Sequence, residues 1–246
     1  MNMNCIILGF GIVGKNLYKE LADLDPDFFD KYKPFTRKMH SQYDIGFICV
    51  DTPLKDGVLD FTEVENAIRE NNCEVYCIKS TVPVGTTEQL REKLGKRIIF
   101  SPEYYGNTVH SQGTFNFTIL GGDKKDCDFV YQAILPCYTG DHVFRFVDSN
   151  TAELVKFMEN SFIATKVSFC SSFYSTAKQF GVEYDELREL FVLDPRVNPS
   201  HTFVYKDHPY WQSHCLDKDV AEISNFNNFM RNVRKYNETA KNLRNI

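Results

Sequence analysis

The sequence predicts an α/β fold: a Rossmann-type doubly wound parallel sheet followed by a smaller all-helical domain with a long central helix. Three observations predict it. A glycine-rich turn, Gly9-Phe10-Gly11-Ile12-Val13-Gly14, joins a short apolar run to a helix-spaced one near the start of the chain. Apolar runs of strand length then alternate with amphipathic helical segments as far as Phe146. Beyond that the strand pattern stops, and one helical stretch of about 30 residues takes over, roughly 45 Å at the α-helical rise. The expected division is 1–148 for the sheet domain and 149–246 for the helical one.

Asn4 to Leu8 reads as the first strand, and Lys15 to Leu24 has helical spacing with Leu17, Leu21 and Leu24 on one side. Gly9 allows a tight turn, Gly11 lets a pyrophosphate approach the backbone, and Gly14 lets helix and strand lie close. A dinucleotide's phosphates would rest on the helix amino terminus. The same spelling also serves as a plain glycine turn in unrelated α/β chains. A short strand lies around Phe28-Phe29-Asp30, and Asp30 stands near the position where an acid takes the ribose hydroxyls. Lys31, Lys33, Arg37 and Lys38 would suit a 2′-phosphate, but an acid at the strand end repels that group. NAD is therefore expected over NADP.

Tyr43 to Val50 is the next strand, stopped by Asp51-Thr52-Pro53 because proline cannot continue a ladder. Phe61 to Asn71 reads as a helix with Thr62 as its cap and Val64 and Ile68 facing inward. Glu74 to Lys79 and Arg97 to Phe100 are strands followed by polar turns, Ser80-Thr81-Val82-Pro83 and Ser101-Pro102-Glu103. A strand over Phe117 to Leu120, a helix over Phe129 to Leu135 and a strand over Val143 to Phe146 finish the alternation. Thr52, Thr81 and Glu103 each fall just past a strand's carboxyl end, where such sheets bind ligands. Threonine–proline pairs are also ordinary turn chemistry.

Asn150-Thr151-Ala152-Glu153 reads as a capping box and Gly181 as the matching stop of the long helix. Its apolar residues, among them Leu154, Phe157, Met158, Phe162, Phe169 and Phe173, spread around more than one face, as in a helix buried between two bodies. A homodimer through the 151–180 helix is the expectation. Glu153, Lys156 and Asn160 form a polar stripe, a pattern that a merely solvated face also gives. Glu183 to Phe191 is a second helix, and Asp217 reads as the N-cap of a last one, continuous from Asp219 to Ile246. Cys215 then sits just ahead of a helix amino terminus with Lys218 close by. Both features favour thiolate over thiol, the state in which a cysteine is a nucleophile. The other cysteines read as small core residues.

Hydrophobic content of 43% and charged content of 25% over 246 residues are those of a globular chain with a sizeable core. A net charge of −5 without a long basic run gives no reason to expect a nucleic-acid partner. The amino terminus enters a strand directly, and no apolar stretch approaches membrane length, so neither a leader nor a membrane partner is expected. The eight cysteines show no CxxC pair and no zinc spacing, which predicts no metal and a reducing cytoplasm.

Taken together, the motifs GFGIVG (9–14), ICVDTPLKDGVLD (48–60), KSTVPVGTT (79–87), SPE (101–103), ELVKFMEN (153–160), DPRV (194–197) and CLDKD (215–219) resemble the UDP-glucose/GDP-mannose dehydrogenase family. They occur in family order over essentially the whole chain. The resemblance implies an NAD-dependent, four-electron oxidation of a nucleotide sugar's primary alcohol to a carboxylate, in polysaccharide biosynthesis. It implies that Cys215 forms a thiohemiacetal and then a thioester, and that Lys156 and Asn160 stabilise oxyanions. Asp219 would join Lys156 and a water in an acid/base relay, while Glu103 and Thr81 position the hydrolytic water. Tyr104 and Arg196 would join Glu103, Lys156, Asn160 and Cys215 in holding the sugar nucleotide. Val50, Thr52, Thr81, Glu103 and Lys218 would join Gly9 to Gly14 and Asp30 around NAD.

The chain also departs from the family pattern. Pro209-Tyr210-Trp211-Gln212-Ser213-His214-Cys215 stands where the family has a glycine-rich PGFGGSC loop, and Asn107 replaces a second glutamate. The motifs end before the family's second nucleotide-binding domain, so a compact form without it is expected. A β-hydroxyacid dehydrogenase shares the glycine motif and the helical KxxxN but needs no thiolate. A non-catalytic NAD-binding or regulatory subunit would not need to keep the six catalytic candidates together.

Overall fold

The structure is a computed structural model and describes residues 3–105 and 115–243. The chain divides into two compact units, the first ending at Lys156 and the second beginning at Phe157. Strands of the first unit are β1 (Cys5–Leu8), β2 (Asp27–Phe29), β3 (Thr36–Arg37), β4 (Tyr43–Ile48), β5 (Leu54–Lys55), β6 (Val58–Leu59), β7 (Cys73–Ile78), β8 (Arg97–Phe100), β9 (Phe117–Gly121) and β10 (Val143–Val147). Eight of them form one sheet in the order β10-β9-β8-β7-β4-β1-β2-β3, and β5 pairs with β6 in a separate hairpin. β1 pairs in parallel with β2 and β4, β4 with β7, and β7 with β8. The chain leaves β1 toward β2 on one side and returns to β4 on the other. The carboxyl end of β1 is therefore the topological switch point, where open α/β sheets bind their ligands.

The helices of this unit are α1 (Ile12–Glu20), α2 (Thr62–Glu70), α3 (Thr86–Leu94) and α4 (Lys124–Ile134). Successive strand residues face opposite ways, and both faces are covered. Ile7, Ile45, Phe47, Val75 and Ile99 share one core with Leu17 and Leu21 of α1 and Val130 and Ile134 of α4. Ile6, Leu8, Ile48, Ile78 and Phe100 share the other with Val64 and Ile68 of α2 and Leu90 of α3. Burial on both faces is why these strands read as continuous apolar runs rather than alternating ones. The doubly wound fold is the one the sequence predicts.

Some boundaries differ. α4 begins at Lys124, earlier than expected, because Asp123 caps it by accepting from the Lys125 N–H at 2.9 Å. The long helix, α5 (Ser149–Gln179), is not opened by the expected box. Asp148 does that work, accepting from the Thr151 N–H at 2.9 Å and the Thr151 hydroxyl at 2.6 Å. Ala152 then lies so close to β9 that a Cβ on Gly121 would stand 2.3 Å from its methyl carbon.

The second unit holds the rest of α5 with α6 (Tyr184–Phe191), α7 (His214–Ser224) and α8 (Asn228–Leu243). Among its described residues only the Tyr205–His208 bridge departs from helix and loop. Ala164, Trp211, Val220, Met230 and Val233 form its main core. The predicted continuous terminal helix is two helices, since the chain turns after Ser224 and Asn227 restarts it by accepting from the Met230 N–H at 3.1 Å. Asp217 is not the N-cap. Ser213 is, its hydroxyl accepting from the Leu216 N–H at 3.0 Å, and Asp217 instead takes the Ser213 N–H at 2.8 Å from within the first turn. No helix among the described residues is long and apolar enough to cross a membrane.

Candidate active-site residues

At the switch point the three motif glycines have different surroundings. A Cβ on Gly9, whose φ is +94°, would lie 2.6 Å from the Cys49 carbonyl oxygen. One on Gly14 would lie 2.1 Å from the carbonyl oxygen of Gly9, so these two glycines let backbone meet backbone. Gly11 faces open space, with Lys33 Nζ at 3.8 Å the one described atom near its absent side chain. It is also the N-cap of α1, where no side chain serves as a cap. Asp30, just past β2, accepts from the Phe10 N–H at 2.9 Å and the Tyr32 N–H at 3.0 Å, which pins its carboxylate beside the loop. The Phe10 ring stacks on Phe28 with centroids 4.3 Å apart. Ile12 is exposed and Val13 half-buried in the first turn of α1. An uncapped helix start, a bare backbone at Gly11 and a fixed acid at the strand end suit the pyrophosphate and ribose of NAD.

The turns after β4 and β7 are tied together. Ser80 donates to the Val50 carbonyl at 2.6 Å, and the Thr52 hydroxyl donates to the Thr81 carbonyl at 2.7 Å. The turn that carries Thr81 is held from α5: Glu153 accepts from the Gly85 N–H at 2.6 Å, the Thr87 N–H at 2.9 Å and the Thr87 hydroxyl at 2.6 Å. Burial raises the Glu153 pKa, against the pull of those hydrogen bonds. Glu103, past β8, takes the Tyr104 N–H at 2.8 Å and the Tyr105 N–H at 3.3 Å, with Lys79 Nζ 3.5 Å from its other oxygen. The ammonium of Lys156, one turn along from Glu153, lies 4.7 Å from the centre of the Tyr104 ring.

In the helical unit Asn160 donates to Asp219 at 2.6 Å, and Lys218 Nζ lies 3.2 Å from the second Asp219 oxygen. That second oxygen is buried and makes no well-aligned hydrogen bond among the described residues, so Lys218 balances it by charge rather than by geometry. Cys215 is the second residue of α7 and its thiol side chain is exposed. Six other cysteines are buried, and burial pushes the thiols of Cys5, Cys73, Cys77 and Cys127 up to about 12. Arg196 is exposed and pairs with Asp194 at 2.6 Å. Asn107 lies outside the described residues.

The roles of three residues escape the sequence reading. Lys79 and Glu153 support the turns just described. Asn237 grips the loop ahead of Cys215, accepting the Trp211 N–H and donating to the Trp211 carbonyl, both at 2.9 Å. The Trp211 indole turns into the core and donates to Ser168 at 2.9 Å. The ring of Trp211, at the phenylalanine position of the family's loop, is thus directed at α5 and its backbone is held by α8. A charge closing the apolar run of β7 was the available signal for Lys79; nothing local marks Asn237.

Residues 30–137 match the NAD binding domain of the UDP-glucose/GDP-mannose dehydrogenase family, and residues 150–243 match its central domain. The chain belongs to that family. NAD is the cofactor of the matched domain. Among relatives of this family member, the UDP-N-acetyl-D-mannosamine dehydrogenase of Methanocaldococcus jannaschii is 28% identical over 214 residues, 80% of this chain and 48% of that enzyme. The uncharacterized protein MJ1054 of the same organism is 31% identical over 206 residues, 76% of this chain and 22% of that protein. A solved UDP-glucose dehydrogenase from Pyrobaculum islandicum superposes with a TM-score of 0.80 at 22% identity, over 96% of this chain and 68% of that one. The chain thus spans about half the length of the curated dehydrogenase it matches.

Proposed function

We propose that the chain carries out NAD-dependent, four-electron oxidation of the primary alcohol of a UDP-sugar to a carboxylate, with Cys215 as the covalent nucleophile. The observation that carries this reading is in the helical unit. An exposed cysteine in the first turn of α7 shares that helix with a buried Lys218–Asp219 pair, which Asn160 joins from α5. A simple alcohol dehydrogenase has no use for such a thiol. When bound, NAD supplies the hydride acceptor for both oxidations.

The sequence of bonds follows from the residues. Removal of a proton and a hydride from the alcohol gives an aldehyde, to which the Cys215 thiolate adds. Lys156 and Asn160 stabilise the alkoxide formed, as fixed donors do wherever negative charge develops. Loss of a second hydride leaves a thioester, so one difficult oxidation becomes two feasible ones. Water positioned by Glu103 and Thr81 then attacks the carbonyl, the C–S bond breaks, and the carboxylate and thiolate separate. Asp219 carries protons in the earlier steps. Tyr104 and Arg196 contact the sugar nucleotide, and Lys218 the cofactor. Relatives named as UDP-N-acetyl-D-mannosamine and UDP-glucose dehydrogenases support a UDP-sugar over a GDP-sugar.

Two further assignments belong to this proposal. Leu154, Met158, Phe162, Phe169 and Phe173 form an exposed apolar stripe along α5, which supports a homodimer through that helix. Eight cysteines without a disulfide support the cytoplasm. The deciding experiment gives the purified protein NAD and a panel of UDP- and GDP-sugars. The expected result is NADH at about two per sugar oxidised, the stoichiometry of a four-electron step, abolished by Cys215→Ser with NAD affinity retained. NADH from no sugar would replace the enzyme by a binding subunit, and full oxidation by Cys215→Ser would remove the covalent route.

A further inference from the structure

We propose that Lys79 is a positioning residue for Glu103, holding its carboxylate in one orientation through a buried ion pair on which thioester hydrolysis depends. The role in hydrolysis rests on the reading of Glu103 given above; the pair itself does not. β7 is an apolar strand whose residues Val75, Tyr76, Cys77 and Ile78 are buried, and the chain then places a lysine that is 9% exposed. A buried ammonium is strongly disfavoured unless a counter-charge and hydrogen-bond acceptors meet it. Lys79 has both, donating to the Ser101 hydroxyl at 3.1 Å and standing 3.5 Å from Glu103 Oε2.

The other groups facing Lys79 do not replace Glu103. Cys77 on β7 and Cys49 after β4 are thiols held protonated by burial. Glu20, at the end of α1, accepts from the hydroxyls of Tyr105 and Tyr138 and is engaged there. Burial draws the Lys79 pKa down, yet it is raised overall, with Glu103 foremost among the groups that raise it. The carboxylate of Glu103 is in turn held at three points: Lys79 on one oxygen, the Tyr104 and Tyr105 N–H groups on the other. Its oxygens have little freedom left.

In hydrolysis Glu103 accepts a proton from the water that attacks the thioester carbon; a C–O bond forms as the C–S bond breaks and Cys215 leaves as thiolate. A carboxylate that has lost its one direct cationic partner among the described residues would turn, and the attacking water would no longer be aligned with it. Lys79 touches no reacting atom and acts only through Glu103.

The test uses Lys79→Met, Lys79→Arg and Glu103→Gln in the full chain. With the UDP-sugar that yields NADH, Lys79→Met should lower kcat on the order of 100-fold, the scale of lost acid–base assistance. KM and NAD affinity should stay near wild type. Intact-mass spectrometry should show the sugar acyl group retained on Cys215 in Lys79→Met, as in Glu103→Gln, and Lys79→Arg should restore turnover in part. Independently of turnover, ¹⁵N NMR of labelled lysine side chains follows the Lys79 ammonium. In Glu103→Gln it should lose its proton at a distinctly lower pH than in wild type. An unchanged Lys79 titration in Glu103→Gln overturns the proposal even if Lys79→Met fails to fold. Wild-type kcat with no retained adduct in a folded Lys79→Met protein overturns the positioning role. A shifted titration with no sugar oxidised by the wild type leaves the pair standing and removes the enzymatic reading.

Discussion

At the scale of single residues, exposure separates one thiol from the rest. Cys215 is exposed, whereas six cysteines are buried and Cys137 is half-buried with its pKa raised by burial. Native protein at neutral pH should react quickly with a disulfide reagent at a single thiol, and Cys215→Ser should abolish the fast phase; an unchanged fast phase would place the reactive thiol elsewhere. Glu153 gives a second prediction. Its folded-state pKa is raised, so the folded chain binds this proton more readily than the unfolded one. Its contribution to stability is therefore lost as pH rises from the ordinary glutamate range through the raised value. Relative to Glu153→Gln, the wild-type melting temperature should fall over that interval, while Glu153→Gln itself melts lower at every pH because three donors lose part of their acceptor. A wild-type curve parallel to that of the variant would show that Glu153 does not titrate there. Most candidate residues were legible individually because the motifs carry them. Their supports were not: Glu153 was read as part of a capping box, and only the folded chain brings it to Gly85 and Thr87 from 68 and 66 residues away.

Elements show where local sequence is sufficient. β1, the glycine turn and α1 were readable because the turn's residues determine its shape. Asp56-Gly57 turns the β5–β6 hairpin with both residues at positive φ (52° and 82°), but the hairpin went unread because each of its strands is too short for a periodicity to register. The break between α7 and α8 was missed although Ser224-Asn225-Phe226-Asn227-Asn228 are poor helix formers and Asn227 is a ready cap, because no glycine or proline punctuates the helical pattern there. The glycine turn also yields a prediction that separates folding from binding. Gly14→Val forces a side chain into the Gly9 carbonyl and should leave little soluble, folded protein. Gly11→Val meets open space, should keep a wild-type circular dichroism spectrum, and should lose NAD in titration calorimetry. Equal damage to folding by both would contradict the difference in their surroundings.

At the scale of the molecule, the fold class was readable from the alternation of strands and helices, and the family from the order of its motifs. The proposed self-association was inferred in the sequence from an excess of apolar residues on α5; the structure gives that helix an exposed stripe whose members include Met158 and Phe162, 72% and 65% exposed. Phe162→Glu should shift the mass measured by light scattering at micromolar concentration from dimer to monomer, and a wild-type monomer would remove the stripe from consideration. Trp211, the chain's single tryptophan, sits in the core of the helical unit while all ten named strands lie in the other. Nature has in effect installed one fluorophore with one address. Its emission will redden when the helical unit opens and stay silent on a melting sheet, so fluorescence and far-ultraviolet signals can time the two units apart. Being four residues ahead of Cys215, the same indole also gives an optical view of the loop that delivers the thiol.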